Sequence, residues 1–132
     1  MNLAKMQAVI ARRFERLAVH GISFSDFLIL YLLQQTPGQK LRRADLAEKI
    51  GLTPSGITRI LLPMEKIGLV TREANERDAR VSYAVLTTAG LQILEDAKST
   101  ANAVAKEIIP IENIKNNEPV WELTRLLGGT IV

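Results

Sequence analysis

The residues best suited to chemistry in this sequence are hydroxyls and arginines, and the chemistry they suit is recognition of a polyanion. Ser55, Thr58, Arg59, Leu62 and Lys66 recur at three- and four-residue spacing, which puts them on one side of a helix. That side is short, hydroxylic and basic, with no acid before Glu65. It can enter a major groove without repelling phosphate, and its side chains can reach base edges. Further on, Asn75-Glu76-Arg77-Asp78-Ala79-Arg80 is turn-prone and carries two arginines. A rigid hairpin tipped with arginine fits a narrow minor groove, where negative potential is concentrated.

Catalytic chemistry finds little to use. The chain has no cysteine, which excludes disulfides, thiolate zinc sites and cysteine nucleophiles. Its one histidine, His20, has no partner in sequence and reads as a helix-end or surface residue, so no metal site is expected. There is no glycine-rich phosphate loop and no nucleophile elbow. The adjacent acids Glu95 and Asp96 fall within a helix, where sequence neighbours do not share a face, and they read as solvated surface. Neither an enzyme nor a cofactor is expected.

The elements that must position these residues follow from periodicity and caps. Leu46, Ala47 and Ile50 mark one helix face, and Gly51 ends that helix because glycine takes the left-handed conformation without a Cβ penalty. Thr53 then caps a second helix, with Pro54 at its first position, where the missing N–H costs nothing. Ile57, Ile60, Leu61 and Met64 form its buried stripe. Pro63 sits inside this helix, where proline normally costs about 3 kcal/mol or more, and a kink or a shifted end is expected. Gly68 closes the helix, and Leu69 to Arg72 reads as a strand leaving it. Val81, Tyr83 and Val85 alternate with Ser82, Ala84 and Leu86, the two-residue period of a second strand.

Elsewhere the chain reads as helix. Residues 2–19 form a first helix with Leu3, Met6, Ile10, Phe14 and Leu17 near one stripe, and His20-Gly21 stops it. Ser23 caps a second over residues 24–35, with Asp26 in the first turn, where the helix dipole favours an anion. Its run of apolar residues predicts burial on most sides. Leu41 anchors a short strand. Thr88 opens a long helix to Ile108, whose Ala97, Ala101 and Ala105 let another helix approach closely, and Pro110 breaks it. A last helix begins at Asn117, carries Trp121, Leu123, Leu126 and Leu127, and stops at Gly128-Gly129.

At 132 residues the chain is long enough for one domain with a sizeable core, and 47% apolar residues argue against disorder. Aromatics make up only 5%, so the core is aliphatic. The longest apolar run, Phe27 to Leu33, is too short for a bilayer, which needs about 20 residues. With no apolar signal core near the start, a cytoplasmic protein with no membrane partner is expected. Nine basic and six acidic residues lie between Lys40 and Arg80, while the remaining eight of each cancel. The whole formal charge of +3 thus sits in the segment suited to DNA.

Three segments resemble the MarR (multiple antibiotic resistance regulator) family of bacterial transcription factors. PGQKLRRADLAEKIGLTPSGITRILLPMEKIGLV (Pro37 to Val70) is similar to its helix-turn-helix, DARVSYAVLT (Asp78 to Thr87) to its wing, and TTAG (Thr87 to Gly90) to the start of its next helix. The resemblance implies a mainly α winged helix-turn-helix with a small β-hairpin wing. It implies one domain over 1–132, with a DNA-binding lobe at about 37–87. Helices at 1–20 and 108–132 would dimerise, joined to that lobe by the helix 88–108. Arg42, Arg43, Thr53, Ser55, Thr58, Arg59, Lys66, Arg77, Asp78 and Arg80 become the DNA-binding candidates, Asp78 orienting Arg80 or its hairpin. For Arg42 and Arg43 a solvated surface competes with a phosphate contact.

A two-fold dimer would present its recognition helices to half-sites of a pseudo-palindromic operator about 34–36 Å apart. The family implies a repressor released by a small aromatic effector, for which Arg16, His20 and Tyr31 are candidate lining residues. A core tyrosine and solvated arginines are the competing reading there. A winged helix used for protein contact, without specific DNA binding, is the alternative function.

Overall fold

A computed structural model describes residues 3–109 and 118–128. They form two compact units, one drawn from residues up to Phe24 and from Asp96 onwards, the other spanning Ser25–Glu95. Proposed boundaries at Pro110, Asn117 and Gly129 lie outside the described residues, as do the side chains of Leu126 and Leu127.

The first unit begins with α1 (Leu3–Arg13), which passes directly into a 3₁₀ helix, Phe14–His20. The expected single helix over 2–19 is therefore two, and the reason is packing. Three residues per turn place Phe14, Leu17 and His20 in one row. Phe14 and Leu17 are fully buried, Phe14 stacks on Phe24 with ring centroids 4.0 Å apart, and His20 Nε2 meets Thr100 Oγ1 at 2.9 Å. Gly21, at φ 78°, closes the segment with its N–H on the Ala18 carbonyl.

The later part of the same unit holds the second half of α5 (Thr88–Ile108) and α6 (Pro119–Gly128). Ala97, Ala101, Val104 and Ala105 are all fully buried, so the small-residue stripe is packed within the chain itself. Val120 and Leu123 are buried too, and the Val120 N–H donates to Asn102 Oδ1 at 3.0 Å.

The second unit contains α2 (Phe24–Gln35), β1 (Lys40–Arg42), α3 (Arg43–Ile50), α4 (Pro54–Lys66), β2 (Val70–Ala74), β3 (Ser82–Leu86) and the start of α5. As its composition predicts, α2 is buried almost all round, at Phe27, Ile29, Leu30, Tyr31, Leu32 and Leu33. The three strands form an antiparallel sheet in the order β1-β3-β2, with Leu41 opposite Ala84 and Val70 opposite Leu86. The inward face of β3 is Ala84 and Leu86; the bulkier Val81, Tyr83 and Val85 lie half-buried on the other. In α4, Ile57, Leu61 and Met64 are buried as expected, whereas Ile60 is only half-buried. Among the described residues no single helix is long and apolar enough to cross a membrane.

Candidate nucleic-acid interface

The turn between α3 and α4 is built as its sequence requires. Gly51 takes φ 82°, and the Gly51 and Leu52 N–H groups both reach the Ala47 carbonyl at 2.9 Å. Thr53 then caps α4, its Oγ1 accepting from the Gly56 N–H at 3.0 Å. The helix runs unbroken through Pro63, with the Ile67 N–H still on the Pro63 carbonyl at 3.1 Å. The helix does not end at Pro63 but continues to Lys66.

Along α4, Ser55, Arg59, Leu62 and Lys66 are exposed and Thr58 is half-buried. Leu62, the one apolar member of this row, is 45% exposed. This row is the hydroxyl-and-arginine surface read from the sequence.

Arg43 is the residue whose surroundings differ most from expectation. It is not solvated: it is the first residue of α3, with a side chain only 13% exposed. Its Nη1 donates to Glu65 Oε1 at 3.1 Å and its Nη2 to Thr58 Oγ1 at 3.0 Å. Arg72 Nε approaches the same Glu65 oxygen at 3.7 Å. Glu65, the lone acid of that side, thus collects cations from the start of α3 and from β2. Sequence reasoning noted Glu65 only as the end of a basic run, because pattern gives residue types and not partners.

The wing is braced on both sides. Asn75 Oδ1 accepts from the Arg77 and Asp78 N–H groups at 2.8 and 3.2 Å, and its Nδ2 donates to the Tyr83 hydroxyl at 3.1 Å. Lys40 pairs with Glu73 at 2.8 Å and lies 5.0 Å from the Tyr83 ring centroid. At the tip, Asp78 Oδ1 accepts from both the backbone N–H and Nε of Arg80, at 3.0 and 3.1 Å. These bonds, the side-chain one first, hold the Asp78 carboxyl below its ordinary value. The Arg80 side chain is 91% exposed. The carboxylate thus clasps an arginine whose side chain lies almost wholly in solvent.

Between the starts of α3, α4 and β3 lies a hollow of about 250 Å³, lined by Arg42, Arg43, Thr58 and Arg80. Of the DNA-binding candidates, Arg42, Thr53, Ser55, Arg59, Lys66, Arg77 and Arg80 are exposed, and Asp78 is half-buried. All ten lie in the second unit.

The effector candidates divide between the units. Arg16 and His20 belong to the first, where Arg16 and Arg13 both pair with Glu107, at 2.8 and 3.1 Å. Arg16 is the main cause of a lowered Glu107 carboxyl. Tyr31 belongs to the second, 1% exposed, its ring 5.9 Å from that of Phe27.

The sequence model of the MarR family matches residues 22–82. The transcriptional regulator MhqR of Bacillus subtilis is 28% identical over 109 residues, which cover 83% of this chain and 74% of MhqR. Sco3205, a MarR family regulator from Streptomyces coelicolor solved with DNA, superposes with a TM-score of 0.77 at 20% identity, over 94% of this chain and 80% of its own. CouR from Rhodococcus jostii RHA1, solved with p-coumaroyl-CoA, gives 0.73 at 23%, over 98% and 92%. Matched over residues 22–82, which take in its helix-turn-helix and reach the first residue of β3, this chain carries a MarR family domain.

Proposed function

We propose that the protein is a sequence-specific, homodimeric DNA-binding repressor of the bacterial cytoplasm, whose release is triggered by a small aromatic ligand. Transcriptional regulators of this kind are not enzymes. The observation that carries the reading is the exposed row Ser55, Arg59, Leu62 and Lys66 on α4, in the same compact unit as the 91% exposed Arg80. In this reading α4 enters the major groove and Arg80 the adjacent minor groove. Arg42 and Arg77 meet phosphate, and Thr53 and Ser55 add hydroxyl contacts near the helix start. Two copies joined through their terminal helices would span two half-sites.

Effector release is proposed as a population shift. The ligand would favour a spacing of recognition helices that misses the half-sites, with Arg16, His20 and Tyr31 as the residues to test. The complex of CouR with p-coumaroyl-CoA supports an aromatic anion as the first class to try. The test of the central reading is fluorescence anisotropy with a duplex carrying the inverted repeat upstream of the protein's own gene. Tight binding with a steep salt dependence is expected, because phosphate neutralisation releases counterions. Arg80→Ala should weaken it by more than about 1 kcal/mol. Weak binding with no salt dependence would point instead to a winged helix that contacts protein.

A further inference from the structure

We propose that Arg43 is a specificity-determining positioning residue, which sets the base preference of α4 by fixing the Thr58 hydroxyl. The inference rests on the DNA-binding reading above. A threonine hydroxyl has one proton and two lone pairs. The Thr58 proton goes to the Pro54 carbonyl at 3.0 Å, and Arg43 Nη2 donates into one lone pair at 3.0 Å. What remains for a ligand is one lone pair and the γ-methyl group.

That remainder has a definite base chemistry. The major-groove edge of guanine offers two acceptors, N7 and O6, and Thr58 has no proton left for either. Adenine and cytosine offer an amino donor to the lone pair, and thymine offers its methyl to the methyl. Thr58 therefore reads an adenine, a cytosine or a thymine, and not a guanine. Arg43 itself is withheld from phosphate, being 13% exposed with its fork divided between Glu65 and Thr58. The guanidinium serves the two acceptors from two nitrogens held in a rigid fork; a lysine at the same position would have to reach both from a single nitrogen on a flexible stem.

The experiment is binding-site selection from a pool of randomised duplexes, followed by salt titrations on the selected site. It compares the wild-type chain with Thr58→Ala, Arg43→Lys and Glu65→Gln, each first checked for cooperative melting. Thr58→Ala identifies the base pair that Thr58 reads. Arg43→Lys is expected to reduce the preference at that same base pair about fivefold or more, while other positions hold. The slope of log affinity against log salt should stay as in wild type, since no phosphate contact is lost. Glu65→Gln, which keeps an acceptor for Nη1 but removes its charge, should move the same base pair in the same direction.

Three outcomes overturn the inference while leaving DNA recognition standing. One is an unchanged preference in Arg43→Lys. Another is a loss of affinity equal on all sequences with a salt slope lowered by about one, the mark of a phosphate contact. The third is a Thr58-dependent preference abolished when guanine N7 is replaced by C–H. A wild-type chain that selects no sequence at all would overturn both the inference and the function it rests on.

Discussion

The Asp78 carboxylate holds Arg80 in three places: the backbone N–H at 3.0 Å, Nε at 3.1 Å and Nη2 at 3.3 Å. An anion beside a DNA-contacting arginine should oppose phosphate, so its value lies in limiting the rotamers of a long, exposed side chain. Asp78→Ala is expected to weaken duplex binding about threefold or more, because the ordering of Arg80 is then left to the complex. The sign decides the matter in an anisotropy titration. If charge alone mattered, removing an acid would strengthen binding.

The same clasp makes a pH prediction. Arg80 lowers the Asp78 carboxyl below its ordinary value of 3.8, through its side chain first and its backbone second. A depressed carboxylate contributes above the unfolded value and loses that contribution only as pH falls through the folded one. Between pH 5 and 8 the wing tip should therefore be unchanged. Glu107, lowered mainly by Arg16 and then Arg13, should behave alike from its value of 4.5. Carbon-detected NMR titration of the two carboxyls should give midpoints below 3.8 and 4.5; a midpoint at or above either value removes the corresponding clasp from solution.

Much of this site could be read in the chain because its signals are local. Thr53, Pro54 and Gly51 name a helix boundary by backbone chemistry alone, and the observed α4 starts at Pro54 with its cap in place. Likewise α2 and α5 fall on the expected residues, Phe24–Gln35 and Thr88–Ile108, α2 as a near-continuous apolar run and α5 as a strong three- and four-residue period. What could not be read depends on contacts distant in sequence. Phe14 turns the first helix into a tighter one by stacking on Phe24, and Thr100 holds His20, 80 residues away. Arg43 read as either a solvated cation or a phosphate contact because nothing nearby in sequence announces Glu65, 22 residues on.

Gly90 is required by contact. A Cβ placed there would lie 2.0 Å from the Leu69 carbonyl oxygen and 3.0 Å from Leu86 Cδ1. This closeness comes from Thr87, whose N–H reaches the Leu69 carbonyl while its Oγ1 accepts from the Gly90 N–H. Backbone cannot yield as a side-chain end can, so Gly90→Ala should cost about 1–3 kcal/mol or more. A urea titration would show a lower midpoint at unchanged slope. A variant as stable as wild type would mean that the strand exit and the start of α5 separate freely.

Pro63 points the other way. It lies on the exposed side of α4, has no N–H to give the Arg59 carbonyl, and yet leaves the helix continuous to Lys66. The helix therefore bears the lost bond without the compensation of a useful break. Pro63→Ala should restore the donor and raise stability by about 1–3 kcal/mol, visible as a higher urea midpoint. Because Arg59 and Lys66 flank the proline on the proposed groove-facing side, duplex affinity should be measured in the same variant. Greater stability with weaker binding would show that the proline shapes the helix end that aims them; a drop in stability would show that the ring makes contacts worth more than the bond it removes.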